Sequence, residues 1–112
     1  MNTIDANELR EFLTGKSSGP VINVLDHDQY ESKHIPGSIN IPLEAADFVS
    51  RVGSAVANKD KPVVVYCASS DCHASEEAAA QLEEAGFTDV RDYRPGVEGW
   101  EQQGFELEGS DA

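Results

Sequence analysis

Apolar positions in this chain come in two kinds of block, short continuous runs and longer stretches repeating at helical spacing. Asp5-Ala6-Asn7-Glu8 has the form of a capping box. The helix it opens is expected to bury Leu9, Phe12 and Leu13 and to stop at Gly15. Val21 to Leu25 reads as a strand that starts after Gly19-Pro20, and Asp26 to Glu31 as a short capped helix. Ile35-Pro36-Gly37-Ser38 is a turn signal, and Ile39-Asn40-Ile41 is a short strand ended by Pro42. Phe48, Val49, Val52 and Val56 recur at helical spacing and predict an amphipathic helix over residues 44–57.

The run Val63-Val64-Val65-Tyr66 reads as a strand buried on both faces of a parallel sheet. It ends at Cys67, and a polar loop follows. The next helix starts near Ser75, which is expected either as its N-cap, with Glu76 and Glu77 in the first turn, or, with Ser69 and Ser70, as a hydroxyl donor beside Cys67. That helix carries Ala78, Ala79, Leu82 and Ala85 on one face and is capped by Gly86. Asp89 to Tyr93 gives a last strand signal. Arg94-Pro95-Gly96 turns into a short helix with Val97 and Trp100, ended by Gly104, and residues 108–112 are expected to fray. Strands alternating with helices over short connections imply a three-layer α/β fold with a mainly parallel sheet. The length suits one domain, residues 1–112.

Charge narrows the function. The chain has 21 acidic and 8 basic residues, a net charge of −13. That argues against nucleic acid, which is bound through Lys and Arg. The acids are spread along the chain and read as a solvated surface. No apolar stretch reaches membrane-spanning length, and no signal-peptide pattern opens the chain. A soluble, cytoplasmic protein without a membrane partner is the expectation. The two cysteines, Cys67 and Cys72, straddle the predicted loop, a spacing that suits thiol chemistry in a reducing compartment better than a disulfide framework.

Parallel α/β sheets place their ligands at the carboxyl ends of the strands, where Cys67 is expected. Backbone N–H groups of the loop Ala68, Ser69, Ser70, Asp71, Cys72 and His73 would converge beside its sulfur and stabilise a thiolate, a persulfide or a bound oxyanion. Arg94 follows a predicted parallel strand and is expected at the same end. It is a candidate substrate-binding cation, or else a partner of Asp92 or Glu98. His73 is either a hydrogen-bonding group for a sulfur donor or a solvated loop residue. Cys67, Cys72 and His73 supply three clustered ligands and no second close pair, so no metal and no cofactor are expected.

The order of motifs resembles the single-domain rhodanese-like sulfurtransferase family. The resemblance runs from Glu8-Leu9 through His34-Ile35-Pro36-Gly37-Ser38-Ile39-Asn40-Ile41-Pro42 and Val64-Val65-Tyr66-Cys67 to Trp100. It implies a five-stranded, mainly parallel sheet flanked by helices and a persulfide carried on Cys67. Its partners would be a small-molecule sulfur donor and a thiol acceptor, with a protein as a further candidate acceptor. Asn23-Val24-Leu25 stands where the family often has Asp-Val-Arg. Cys72 stands where the common loop has an arginine, and no Arg or Lys lies in the loop. The segment from Cys67 to Gly86-Phe87 is about two residues longer than the common pattern. His73 takes the place of the arginine of related phosphatases, a poor substitute for a bidentate phosphate clamp.

The leading expectation is a sulfurtransferase with Cys67 as nucleophile and Cys72 as a candidate resolving thiol. The alternatives are a dithiol redox protein cycling Cys67 and Cys72, and a non-catalytic rhodanese-like interaction module.

Overall fold

The structure is a computed structural model, which describes residues 2–15 and 19–112. Among the described residues, five parallel strands form one sheet. In chain order they are β1 (Asn2–Thr3), β2 (Val21–Asn23), β3 (Ile39–Asn40), β4 (Val63–Tyr66) and β5 (Val90–Tyr93). Their spatial order is β1-β5-β4-β2-β3, which puts β4 at the centre. The helices are α1 (Ala6–Thr14), α2 (His27–Ser32), α3 (Phe48–Ala55), α4 (Ala74–Glu84) and α5 (Gly96–Gln102).

Side chains alternate across the sheet, and each face builds its own core. Val63, Val65 and Cys67 face one side and pack with Phe48 and Val52 of α3 and with Ala78, Ala79 and Leu82 of α4. Val64 and Tyr66 face the other side, toward Leu9 and Phe12 of α1 and Val97 and Trp100 of α5. This is the three-layer α/β architecture expected, with β4 buried along its whole length.

The local signals act as their chemistry dictates. In the Asp5–Glu8 capping box, Glu8 N–H donates to the Asp5 carboxylate at 2.8 Å and Asp5 N–H to Glu8 at 3.1 Å. Helix α4 ends with Gly86 at φ +101, where Gly86 N–H bonds the Glu83 carbonyl and Phe87 N–H bonds the Leu82 carbonyl. That pairing seats Phe87 in the core beside Leu82.

The structure differs from the sequence reading in several places. Strand β1 pairs with β5 where no strand was expected, and Leu13 is only half-buried. Helix α3 starts at Phe48 rather than residue 44, and the preceding residues turn through Ala45 N–H to Pro42 O and Phe48 N–H to Ala45 O. Ser75 is not the N-cap of α4: His73 holds that position and Ser75 is fully buried inside the first turn. The tail expected to fray is tied to the body. Glu108 exchanges both backbone hydrogen bonds with His34, Ser110 N–H bonds Glu31 O, and Asp111 N–H bonds Ser32 O. These bonds use carbonyls at the end of α2, a long-range pairing that no local pattern announces.

Candidate active site

The strand register sets the site. Tyr66 pairs with Tyr93, so Cys67 and Arg94 are the next residues of β4 and β5 at the carboxyl edge of the sheet. Two elements fix the chain as it leaves β4. On one side, Gly96 approaches so closely, at φ +64, that a Cβ there would lie 2.3 Å from the Cys67 carbonyl oxygen. Val97 N–H then bonds the Cys67 carbonyl at 3.0 Å, and Glu98 N–H bonds the Ala68 carbonyl at 2.9 Å. On the other side, Tyr66 accepts Ile35 N–H at 3.1 Å and lies 2.7 Å from Ser38 Oγ, tying the His34–Ser38 turn to the residue before Cys67. His34 serves that turn: its Nδ1 lies 2.7 Å from the Tyr30 carbonyl. Asn23, where an acidic residue was the common pattern, accepts Leu25 N–H, and Asn40 donates to the Asn23 and Leu25 carbonyls. Amide bonds thus hold the neighbouring strand end without a salt bridge.

Cys67 is fully buried, and Cys72 is half-buried above it. The Cys67 thiol lies 3.3 Å from the Cys72 carbonyl oxygen, and Cys72 N–H closes the loop onto Ser69 O at 3.0 Å. Burial, joined by the contact with Cys72, raises the Cys67 pKa, while the N–H and hydroxyl of Ser75 pull against it. Cys72 goes the other way. Burial pushes it up, but the Cys67 thiol and the N–H groups of Ala74 and Ala68 outweigh that, and its pKa is lowered. The loop amides expected around Cys67 therefore divide. Those of Ala68 and Ala74 serve Cys72, and that of Ser75 serves Cys67.

The other loop side chains stay outside. Ser70 and Asp71 are exposed and Ser69 is half-buried. His73 is 77% exposed and lies 3.5 Å from Glu76. Arg94 is at the expected sheet end, but its guanidinium is engaged: Nη1 donates to Glu76 at 3.0 Å, and Nε faces Asp92 Oδ2 at 3.9 Å. The partner named as the alternative for Arg94, Asp92, is thus one of the two carboxylates it meets.

Clefts flank the loop. One, of about 530 Å³, includes His73 and Ala74 with the acids Asp26, Glu44 and Glu77; another, of about 480 Å³, includes Ala68 with Asp28, Glu98 and Glu101. Cys67 lines neither of them.

Comparisons with known proteins bear on the family and the fold. The family profile "Rhodanese-like domain" matches residues 5–103. The chain belongs to the rhodanese-like domain family. It is 36% identical over 81 residues to the thiosulfate sulfurtransferase GlpE of Pseudomonas savastanoi, covering 71% of this chain and 70% of that one. It is 29% identical over 106 residues to the HTH-type transcriptional regulator Rv0324 of Mycobacterium tuberculosis, covering 93% of this chain and 45% of that one. The chain therefore spans less than half the length of that regulator. Among solved structures, the Alr3790 protein of Anabaena superposes with a TM-score of 0.83 at 30% identity, covering 95% of this rhodanese-like chain and 91% of that one. No helix among the described residues is long and apolar enough to cross a membrane.

The sequence reading missed a residue at this site. Asp92 sits fully buried on the same sheet face as Cys67, opposite Val65 in the register. Its signal was an acid beside Arg91 in a short strand bounded by Val90 and Tyr93, but so short a strand gives no indication of which of the two charged residues lies inward.

Proposed function

We propose that this rhodanese-like domain is a sulfurtransferase that forms a persulfide on Cys67 and passes its outer sulfur to a thiol acceptor. One observation carries the reading: Cys67, fully buried, follows the last residue of the central strand at the carboxyl edge of a parallel sheet and opens the loop that leads into α4. The likeness to chains named sulfurtransferases supports the reaction class. A persulfide R–S–SH gives its outer sulfur to the Cys67 thiolate, R–S⁻ leaves and takes a proton, and an acceptor thiolate later removes that sulfur.

The donor best matched to this site carries little negative charge. The loop has no cation, Arg94 is bound to Glu76, and the flanking clefts set six carboxylates against one cation, Lys33, itself paired with Glu101. A dianion such as thiosulfate meets repulsion there; a neutral or singly charged persulfide or mercaptopyruvate meets less. A cytosolic setting and a small or protein thiol as acceptor complete the proposal.

The contact between Cys67 and Cys72 favours a second reading, a dithiol redox protein. The mass of Cys67 separates the two, a gain of one sulfur atom against a loss of two hydrogens, and a Cys67→Ser variant tests the first, assayed with glutathione persulfide, mercaptopyruvate and thiosulfate over a range of salt. Sulfur transfer abolished in the variant, with glutathione persulfide turned over faster than thiosulfate by wild type, supports the proposal. Transfer undiminished in Cys67→Ser refutes it, and a high, salt-insensitive thiosulfate rate refutes the donor preference.

A further inference from the structure

Arg94 stands next to Cys67 in the sheet. Tyr66 pairs with Tyr93, and the cysteine and the arginine are the residues that follow them. Neighbouring strands run about 4.8 Å apart. Val65 and Cys67 share the face covered by α4 with Val90, and Arg94, an even number of residues beyond Val90, meets α4 through Glu76. The two chains stay together past the strands, where Val97 N–H bonds the Cys67 carbonyl. Yet the cation is held. Its Nη1 donates to Glu76 Oε2 at 3.0 Å, and the same oxygen lies 3.5 Å from His73 Nδ1 at the end of the loop. The guanidinium carries more donors than this one bond uses. Nε is buried without a partner and stands off Asp92 Oδ2 at 3.9 Å. A forked cation with donors to spare suits an oxyanion. Helix chemistry alone does not single out Glu76. Acids favour the first turn of a helix through its dipole, and α4 has two there, Glu76 and Glu77. What distinguishes Glu76 is its contact with Arg94.

We propose that Glu76 sets the donor class of this site by holding Arg94. Paired, the arginine offers a donor no net charge; released, it is the cation that the loop lacks, and the site takes a dianionic sulfur donor. The inference rests on the reading of Cys67 as the nucleophile that accepts sulfur. Glu76 acts through Arg94 and is a positioning residue. In a protein without the Glu76 charge, the sulfonate oxygens of thiosulfate take the place of the Glu76 carboxylate on the guanidinium. The Cys67 thiolate then bonds the outer sulfur of thiosulfate, the S–S bond of thiosulfate breaks, and its electron pair leaves with sulfite. The products, Cys67–S–S⁻ and SO₃²⁻, carry the same total charge as the thiolate and thiosulfate, and no oxidant or reductant is needed.

The test is the binding of thiosulfate itself in a Cys67→Ser background, where no sulfur can be taken, followed by the backbone amide shifts of residues 68–76 and 94–98. Glu76→Gln should tighten thiosulfate binding about tenfold, the lower end of what a charge-assisted hydrogen bond is worth. Adding Arg94→Gln should remove that gain. Glu77→Gln makes the same change of charge in the same helical turn and should shift binding much less. The spectrum reports whether each variant is folded, and Glu76→Ala replaces a Glu76→Gln that is not. A Glu76 variant that binds thiosulfate no more tightly than its parent overturns the inference. So does a gain that survives Arg94→Gln, or one that Glu77→Gln matches, which is the effect of net charge alone. Sulfur loading is read separately by mass, with Cys67 restored. A gain in binding that needs Arg94, in a protein whose Cys67 never gains sulfur from any donor, retains this inference and defeats the sulfur-transfer reading. Sulfur gained on Cys67 without the Glu76→Gln gain in binding keeps that reading and overturns this inference.

Discussion

The sulfur of Cys67 lies 3.3 Å from the carbonyl oxygen of Cys72, beneath a loop that buries the first cysteine and leaves the second half-buried. Cys72 is thus the thiol that meets solvent first, and the one whose anion the Ala68 and Ala74 amides favour. A thiolate so placed can attack the inner sulfur of a Cys67 persulfide, releasing hydrosulfide and leaving a Cys67–Cys72 disulfide.

That geometry predicts different persulfide lifetimes. Wild type and Cys72→Ala, each loaded with persulfide and followed by mass, should diverge: wild type loses its extra sulfur and becomes a disulfide, while the variant keeps the sulfur longer. Equal lifetimes with no disulfide in wild type contradict the resolving role.

Tyr66→Phe should destabilise the fold. The hydroxyl accepts Ile35 N–H and meets Ser38 Oγ in a fully buried setting, and its loss leaves the Ile35 donor unpaired. The expected cost is about 1–3 kcal/mol, read by urea unfolding. An unchanged midpoint and slope would show that the turn holds without this bond.

Much of the fold was legible because the signals were local. The Asp5–Glu8 cap, the Val63–Tyr66 run and the Gly86 stop each depend on neighbours within a few residues. The place of Cys67 followed from strand order. The division of the loop amides between Cys67 and Cys72 did not, because it depends on the path of a loop with no regular period. The same holds for Ser75: its type suits an N-cap, and only the start of α4 at Ala74 turns it inward. Arg94 could be placed at the right edge, but its pairing with Glu76 joins residues 18 apart and needed the packing of α4 on β5.

Asp92 gives the fold a signed response to pH. Burial raises its pKa, so between the ordinary aspartate range and that raised value the native state holds a proton that the unfolded chain has lost. The native state binds more protons there, so stability contributed by this group is full below the unfolded pKa and is lost as pH rises through the folded one. Asp92→Asn should therefore gain stability relative to wild type across that window. Parallel stability curves for the two proteins would contradict the burial argument.

Arg94→Ala removes a half-exposed cation from Glu76 and Asp92. Stability should change by less than about 1 kcal/mol, since such pairs are screened. The Asp92 pKa should rise further, because Arg94 now lowers it. Carboxyl titration by carbon NMR checks the shift; no shift would show that Arg94 does not act on Asp92.

The most direct measurement is the mass of the intact protein, with the modified residue located by fragmentation, after brief incubation with glutathione persulfide and removal of the donor. The account predicts a gain of one sulfur atom on Cys67, removed again by an added acceptor thiol. No gain on Cys67, or a loss of two hydrogens as the first and only change, would contradict it.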